Sequence, residues 1–276
     1  MLKTVFNSRI CSVGNKLNMI KQLFHGMTGG QIVYKKLQEH NVNNVWISTG
    51  GAVMPLVDAF YKGNINYYLP SHEQSGGHCA SGYAKVTGKP GISIVTSGPG
   101  FTNSLTALTD AMNDSVPFIL FSGQVPLSSI GSQAFQECPS IEMSKPVTKW
   151  STRVDDINKL PSIIDNAFKI ALSGKPGAVH IDLPKCIISD KLTNKNYIKS
   201  NDKTDIKMDI IDFKTLKPII ELINKANKPV IIAGQGCNSS WNLLRQFSEI
   251  ANIPVTTTIH AMGCVDETSE LSLEFL

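Results

Sequence analysis

The 276 residues are 42% hydrophobic and carry 26 basic against 22 acidic side chains, enough apolar content for a sizeable core in more than one domain. No run of 18 apolar residues occurs, which excludes a transmembrane helix. The formal charge of +4 is confined to residues 1–26, which hold Lys3, Arg9, Lys16 and Lys21 and no acid, so the remainder balances and a nucleic-acid groove is unsupported.

That leader, with Ser8 and Ser12, resembles a mitochondrial presequence, the alternatives being a disordered tail or an upstream start before Met27. An intracellular chain, cytoplasmic or mitochondrial, is expected. The six cysteines (Cys11, Cys79, Cys138, Cys186, Cys237 and Cys264) are scattered, without C-x-x-C or metal-ligand spacing. Free buried thiols in a reducing compartment are the expectation, Cys79 among them as a packed thiol, and no metal site is expected within the chain.

From Met27 onward helix and strand alternate. Thr28 opens a helix over 28–40, followed by a strand at Val45–Ser48 that runs into the turn Thr49-Gly50-Gly51. A helix over 53–61, a strand at Asn66–Leu69 and a helix over 72–87 come next. The β-branched run Gly91–Thr96 is a strand, 101–113 a helix, and Phe118–Ser122 a buried strand. Ile157, Leu160, Ile163, Ile164, Ala167, Phe168 and Ala171 form one stripe of a helix over 156–173, and Ala178–Leu183 is a further strand. The alternation predicts an α/β fold with a doubly wound parallel sheet.

Residues 185–212 lose any apolar period and are assigned as a linker. A second α/β unit follows: helix 213–225, strand Pro229–Ala233, turn Gly234-Gln235-Gly236, helix 239–250 and strand Pro254–Thr258. The expected organisation is a leader over 1–26, a first domain over 27–184, the linker, and an incomplete Rossmann-like domain over 213–276. Two or three strands are few for a self-sufficient parallel sheet.

Glu73 carries two readings. Ser71 and Gln74 fit a capping box, and an acid in the first helical turn is favoured by the helix dipole. The same helix, however, contains Gly76, Gly77, Ala80, Ser81, Gly82 and Ala84, small residues that suit close approach of backbone or cofactor. Ser97-Gly98-Pro99-Gly100 and Gly50-Gly51 are turns after strands, where open α/β sheets bind ligands. Neither is a Walker loop. His72 and His78 lack metal-ligand partners and are assigned as structural.

Together, His72-Glu73-Gln74, Gly88-Lys89-Pro90-Gly91, Thr96 to Asn103, Gly123-Gln124-Val125-Pro126, Ile130 to Glu137, Thr148-Lys149-Trp150 and Ser173-Gly174-Lys175-Pro176-Gly177 resemble the thiamine-diphosphate enzymes, specifically the large subunit of acetohydroxyacid (acetolactate) synthases. The resemblance runs from about Met27 to Leu276. It implies that Glu73 hydrogen-bonds N1′ of the cofactor's aminopyrimidine, so that the 4′ nitrogen acts as base toward the thiazolium C2 proton. It further implies that Gly51 lies beside the reactive centre, that Pro99 and Asn103 belong to the pyrimidine-side loop and helix, and that Phe135, Gln136 and Lys149 face the reaction cleft. Core packing for Phe135, a loop position for Gln136 and a solvated charge for Lys149 stand beside those roles.

The family's FAD residues correspond to Lys175, Gly234, Gly236 and the Thr258-Ile259-His260 segment. Lysine in place of the family's arginine loses the bidentate fork, and Gln235 adds a side chain to a phosphate-approaching turn, so the departures argue against FAD. Mg²⁺ is implied by the family, but no Gly-Asp-Gly occurs in the 276 residues. The expectation is therefore half of a synthase site, acting on pyruvate and other small 2-oxo acids in a homodimer or in complex with a chain carrying the diphosphate-binding domain. It is inactive alone. The alternatives are another thiamine-dependent 2-oxo-acid decarboxylase, or a non-catalytic homologue that regulates a full synthase subunit.

Overall fold

A computed structural model describes residues 24–61, 63–193 and 212–276; most of the basic leader and of the expected linker lies outside these residues. The chain divides into two compact units, with the division between residues 206 and 207.

In the first unit, α1 (Gly29–Glu39) leads to β1 (Asn44–Ile47), α2 (Met54–Phe60), β2 (Asn66–Tyr68) and α3 (Glu73–Thr87). Next come β3 (Gly91–Val95), α4 (Pro99–Asn103), α5 (Leu105–Asn113), β4 (Phe118–Gln124) and α6 (Ser140–Ser144). β5 (Trp150–Arg153), α7 (Leu160–Leu172), β6 (Ala178–Pro184) and α8 (Lys185–Ser189) complete it. Six parallel strands pair in the order β2-β1-β3-β4-β6-β5. This is the doubly wound α/β sheet that the alternation predicted.

Two cores flank the sheet, as a sheet buried on both faces requires. Ile92, Ile94, Ile119, Phe121, Val179 and Ile181 face one way, with Leu37, Leu56 and Ile164 from the covering helices. Val95, Phe118 and Leu120 face the other, with Ala80, Phe101 and Ala107. β3, β4 and β6 are buried at every residue, which explains their largely apolar sequences.

Local signals account for the element ends. Thr28 caps α1 in a capping box: its Oγ1 accepts from Gln31 N at 3.3 Å, and its N–H donates to Gln31 Oε1 at 3.0 Å. At α3 the cap is His72 rather than Ser71, with the ring Nδ1 accepting from Gln74 N at 3.2 Å. The expected single helix over 101–113 is two, starting at Pro99 and breaking at Ser104, whose hydroxyl turns back onto Gly100 O at 3.0 Å. β5, which was not anticipated, is a short edge strand without a fully buried residue. Residues 185–189 are helical, and Leu192 is fully buried in the first core. Cys79 is exposed, not packed.

The small residues of α3 have a structural explanation. A Cβ on Gly77 would lie 2.5 Å from the Ala107 Cβ, and one on Gly91 would overlap the Ala80 carbonyl. α3 therefore sits closely against α5 and the sheet, and Gly77 and Ala80 serve that approach, whereas Gly82 faces open space.

The second unit holds α9 (Phe213–Lys225), β7 (Ile231–Ala233), α10 (Trp241–Ala251), β8 (Val255–Thr257) and β9 (Ser272–Phe275). Its parallel sheet runs β7-β8-β9, so the segment before Leu276 is a third strand. Ala233, Val255 and Val265 form a small core. Among the described residues no helix is long and apolar enough to cross a membrane.

Candidate functional site

All six strands of the first sheet point the same way, so the turns after β1, β2 and β3 meet at one carboxyl edge. Glu73 enters this edge as the first residue of α3, half-buried, and Asn103 at the end of α4 donates from Nδ2 to Glu73 Oε2 at 3.0 Å. One carboxylate oxygen is thus oriented by a neutral amide, and the other accepts no hydrogen bond among the described residues. This pairing joins residues thirty positions apart, and it needs β1 and β3 as neighbours.

The turns around the acid are shaped by glycine. Gly98 has φ +57°, a left-handed conformation, and a Cβ there would stand 2.7 Å from the Gln136 carbonyl. Gln136 itself has φ +59°, so the loop over 130–138 is folded tightly against the Gly98 turn. A Cβ on Gly100 would lie 3.7 Å from Glu73 Oε1. A Cβ on Gly51 would meet nothing within 4 Å, which leaves open space over the β1 turn. Pro99 is exposed, and Phe135 is 88% exposed at the loop tip. The structure therefore gathers Gly51, Glu73, Pro99, Asn103, Phe135 and Gln136 at one edge.

Lys149 is not among them. It precedes β5 at the opposite, amino edge, where its ammonium donates to the Ile170 and Ser173 carbonyls and so caps the end of α7. Burial lowers its pKa. Lys185 lies at the carboxyl edge, directly after β6. Lys175 also lies at the amino edge, exposed in the turn before β6. Gly234 and Gly236 follow β7 in the other unit, and a Cβ on either would meet nothing within 4 Å.

Beneath the 130–142 loop lies a cavity of about 470 Å³, lined among others by Gln124, Ile130, Cys138, Ser140, Ile141 and Arg153. Gln124 in its lining connects to a buried polar relay. Ser144 Oγ contacts His180 Nδ1 at 2.8 Å, His180 Nε2 contacts Ser122 Oγ at 2.7 Å, and Ser122 donates to Asp182 Oδ1 at 2.7 Å. Gln124 Nε2 donates to Asp182 Oδ2 at 3.1 Å. A Ser122 hydroxyl that donates to Asp182 accepts from His180, which assigns the imidazole proton to Nε2 and leaves Nδ1 to accept from Ser144. Burial pushes the His180 pKa down to about 3 and that of Asp182 up to about 6. Burial also raises the Cys138 thiol. Glu137 staples the loop by accepting the Gly131 and Ala134 N–H groups, which lowers its pKa.

The relay did not emerge from the sequence, although a signal was present. His180 and Asp182 are polar residues two apart within an otherwise apolar strand, so they share one face.

The sequence pattern of the thiamine pyrophosphate enzyme N-terminal TPP binding domain matches residues 27–143, and that of the same enzymes' central domain matches residues 216–276. The mitochondrial acetolactate synthase catalytic subunit of Saccharomyces cerevisiae is 41% identical over 264 residues, covering 92% of this chain and 38% of that protein. The mitochondrial acetolactate synthase of Schizosaccharomyces pombe is 42% identical over 265 residues, covering 92% and 40%. The acetolactate synthase large subunit of Lactococcus lactis is 38% identical over 257 residues, covering 89% and 43%. The chain spans about two fifths of the length of these relatives. With the carboxyl-edge acid and its glycine turns lying inside the first match, the chain belongs to the thiamine pyrophosphate enzyme family, with the N-terminal and central domains of its acetolactate-synthase-like members.

Proposed function

We propose that this chain supplies the aminopyrimidine-binding wall of a thiamine-diphosphate site for decarboxylation and carboligation of 2-oxo acids, with pyruvate as the first substrate. The observation that carries this reading is the Glu73 carboxylate, oriented by Asn103 at 3.0 Å between two glycine turns at the carboxyl edge. The donor set fits the pyrimidine half of the cofactor: one acid, one amide and close backbone. When bound, the cofactor supplies a carbon nucleophile and an electron sink for the carbon dioxide lost from the oxo acid.

The chain's own residues do the rest. Glu73 holds a proton at the pyrimidine ring nitrogen, which makes the exocyclic nitrogen a base. Asn103 fixes the rotamer of that acid, so little reorganisation accompanies proton transfer. Gly51 leaves room for the reacting carbon, while Gln136 and Phe135 line the substrate side from a loop stapled by Glu137. No Gly-Asp-Gly occurs in the 276 residues, so residues outside them hold the diphosphate and Mg²⁺. The chain acts with a polypeptide that carries those residues, in an oligomer.

FAD does not fit what is present. Lys175 offers one ammonium where a planar fork would grip a phosphate, and Gln235 projects a side chain into the turn after β7. The acid-free leader supports delivery to mitochondria.

The test is calorimetry with thiamine diphosphate and Mg²⁺, first on the chain alone and then with a polypeptide carrying a diphosphate-binding domain. Heat in the second case, and acetolactate formed from pyruvate, supports the reading. No heat in either case sinks it. Acetaldehyde in place of acetolactate assigns the chain to simple decarboxylases.

A further inference from the structure

Thr96, the residue after β3, stands under the candidate site and takes no part in the roles given above. Its side chain is packed from two sides: a Cβ on Gly50 would overlap its hydroxyl, and one on Gly100 would lie 2.7 Å from its methyl. The residue is 7% exposed, and its Oγ1 has no hydrogen-bond partner. A buried hydroxyl without a partner is costly and uncommon, and valine has the same shape without that cost. Above it, among the described residues, the N–H groups of Gly50 and Gly51 have no acceptor, while Gly50 O accepts from Val53 N at 3.1 Å. An unpaired acceptor therefore lies beneath a turn with unpaired donors.

We propose that Thr96 is a positioning residue for the cofactor: its hydroxyl accepts an N–H of the Gly50–Gly51 turn when the aminopyrimidine fills the cleft, and it sets the height of that turn over the reacting carbon. This rests on the reading of the edge as an aminopyrimidine wall. In the empty protein the hydroxyl is a small destabilising element, and in the loaded protein it is satisfied. Stability and affinity therefore respond in opposite directions to its removal.

Thr96→Val keeps the shape and removes the hydroxyl; Thr96→Ser keeps the hydroxyl and removes the methyl. Without cofactor, the valine variant melts at the wild-type temperature or about 2 °C higher, and the serine variant melts several degrees lower, by about 4 °C. In calorimetric titration with thiamine diphosphate and Mg²⁺, in the presence of a polypeptide carrying a diphosphate-binding domain, valine binds about tenfold more weakly. Serine stays within about twofold of the wild type. A purely structural threonine gives the same order in both measurements, valine at or above serine. Wild-type affinity in Thr96→Val, or weak binding in Thr96→Ser, overturns the assignment while leaving the aminopyrimidine site standing. Absence of any binding by the wild type overturns the site and the assignment together.

Discussion

Replacing Asp182 by asparagine isolates one carboxyl in the relay under the 130–142 loop. Burial raises its pKa to about 6 from an ordinary 3.8, so the folded protein retains a proton that the unfolded chain releases. Its contribution to stability is complete below the unfolded value of 3.8 and is lost as pH rises through about 6. His180 works the other way. Held neutral by burial, with a pKa of about 3 against 6.5, it contributes fully above 6.5 and loses that contribution as pH falls toward 3. Each pH unit between the two values of a group is worth about 1.4 kcal/mol, giving about 3 kcal/mol for Asp182 and about 5 kcal/mol for His180. Over the shared window, from about pH 6 down to about pH 4, the two slopes oppose and nearly cancel. Asp182→Asn removes one of them. Between about pH 7 and pH 4 the variant therefore loses about 3 kcal/mol relative to the wild type. Urea melts of both proteins across that range measure the difference, in which the other carboxylates cancel. Parallel profiles, agreeing within about 0.5 kcal/mol, would show that Asp182 is ionised throughout and that the burial argument is wrong.

Three further outcomes follow from the packing and the site. Gly77→Ala places a methyl 2.5 Å from the Ala107 Cβ and is expected to destabilise the first unit by about 1–3 kcal/mol, measured by denaturant melting. Asp165→Asn removes the acid 2.6 Å from the Lys36 ammonium, whose side chain is 5% exposed. Because Glu39 remains at 2.8 Å, the cost is about 2 kcal/mol rather than that of a fully unpaired buried charge, again by melting. Asn103→Ala frees the Glu73 rotamer and is expected to lower turnover of pyruvate about tenfold in the assembled enzyme, with chain stability unchanged.

The fold was legible because its signals are local and periodic. The buried strands β3, β4 and β6 are largely apolar, α7 shows a clear stripe, and Thr28 announces the start of α1. β5 escaped because an edge strand of four partly exposed residues has no apolar run to reveal it. β9 escaped for a related reason: Ser272 to Phe275 are partly or fully exposed. At the site, Glu73 stood out by its place at a helix start, but its pairing with Asn103 depends on strand neighbours that no local pattern specifies. Lys149 shows the converse. Its neighbours in sequence suggested the cleft, whereas the direction of β5 puts it at the far edge, where it caps α7. Ser122, His180 and Asp182 were visible as polar breaks in apolar strands, and only the pairing of Ser122 with Asp182 across β4 and β6 turns those breaks into a relay.

The central claim is that Glu73 drives proton chemistry at the cofactor. The rate of hydrogen–deuterium exchange at the thiazolium C2 position, followed by NMR on bound thiamine diphosphate, reports on that chemistry before any substrate is added. The account predicts that Glu73→Gln slows this exchange by about 100-fold or more, with the cofactor still bound. Exchange at the wild-type rate in the loaded Glu73→Gln protein would contradict it.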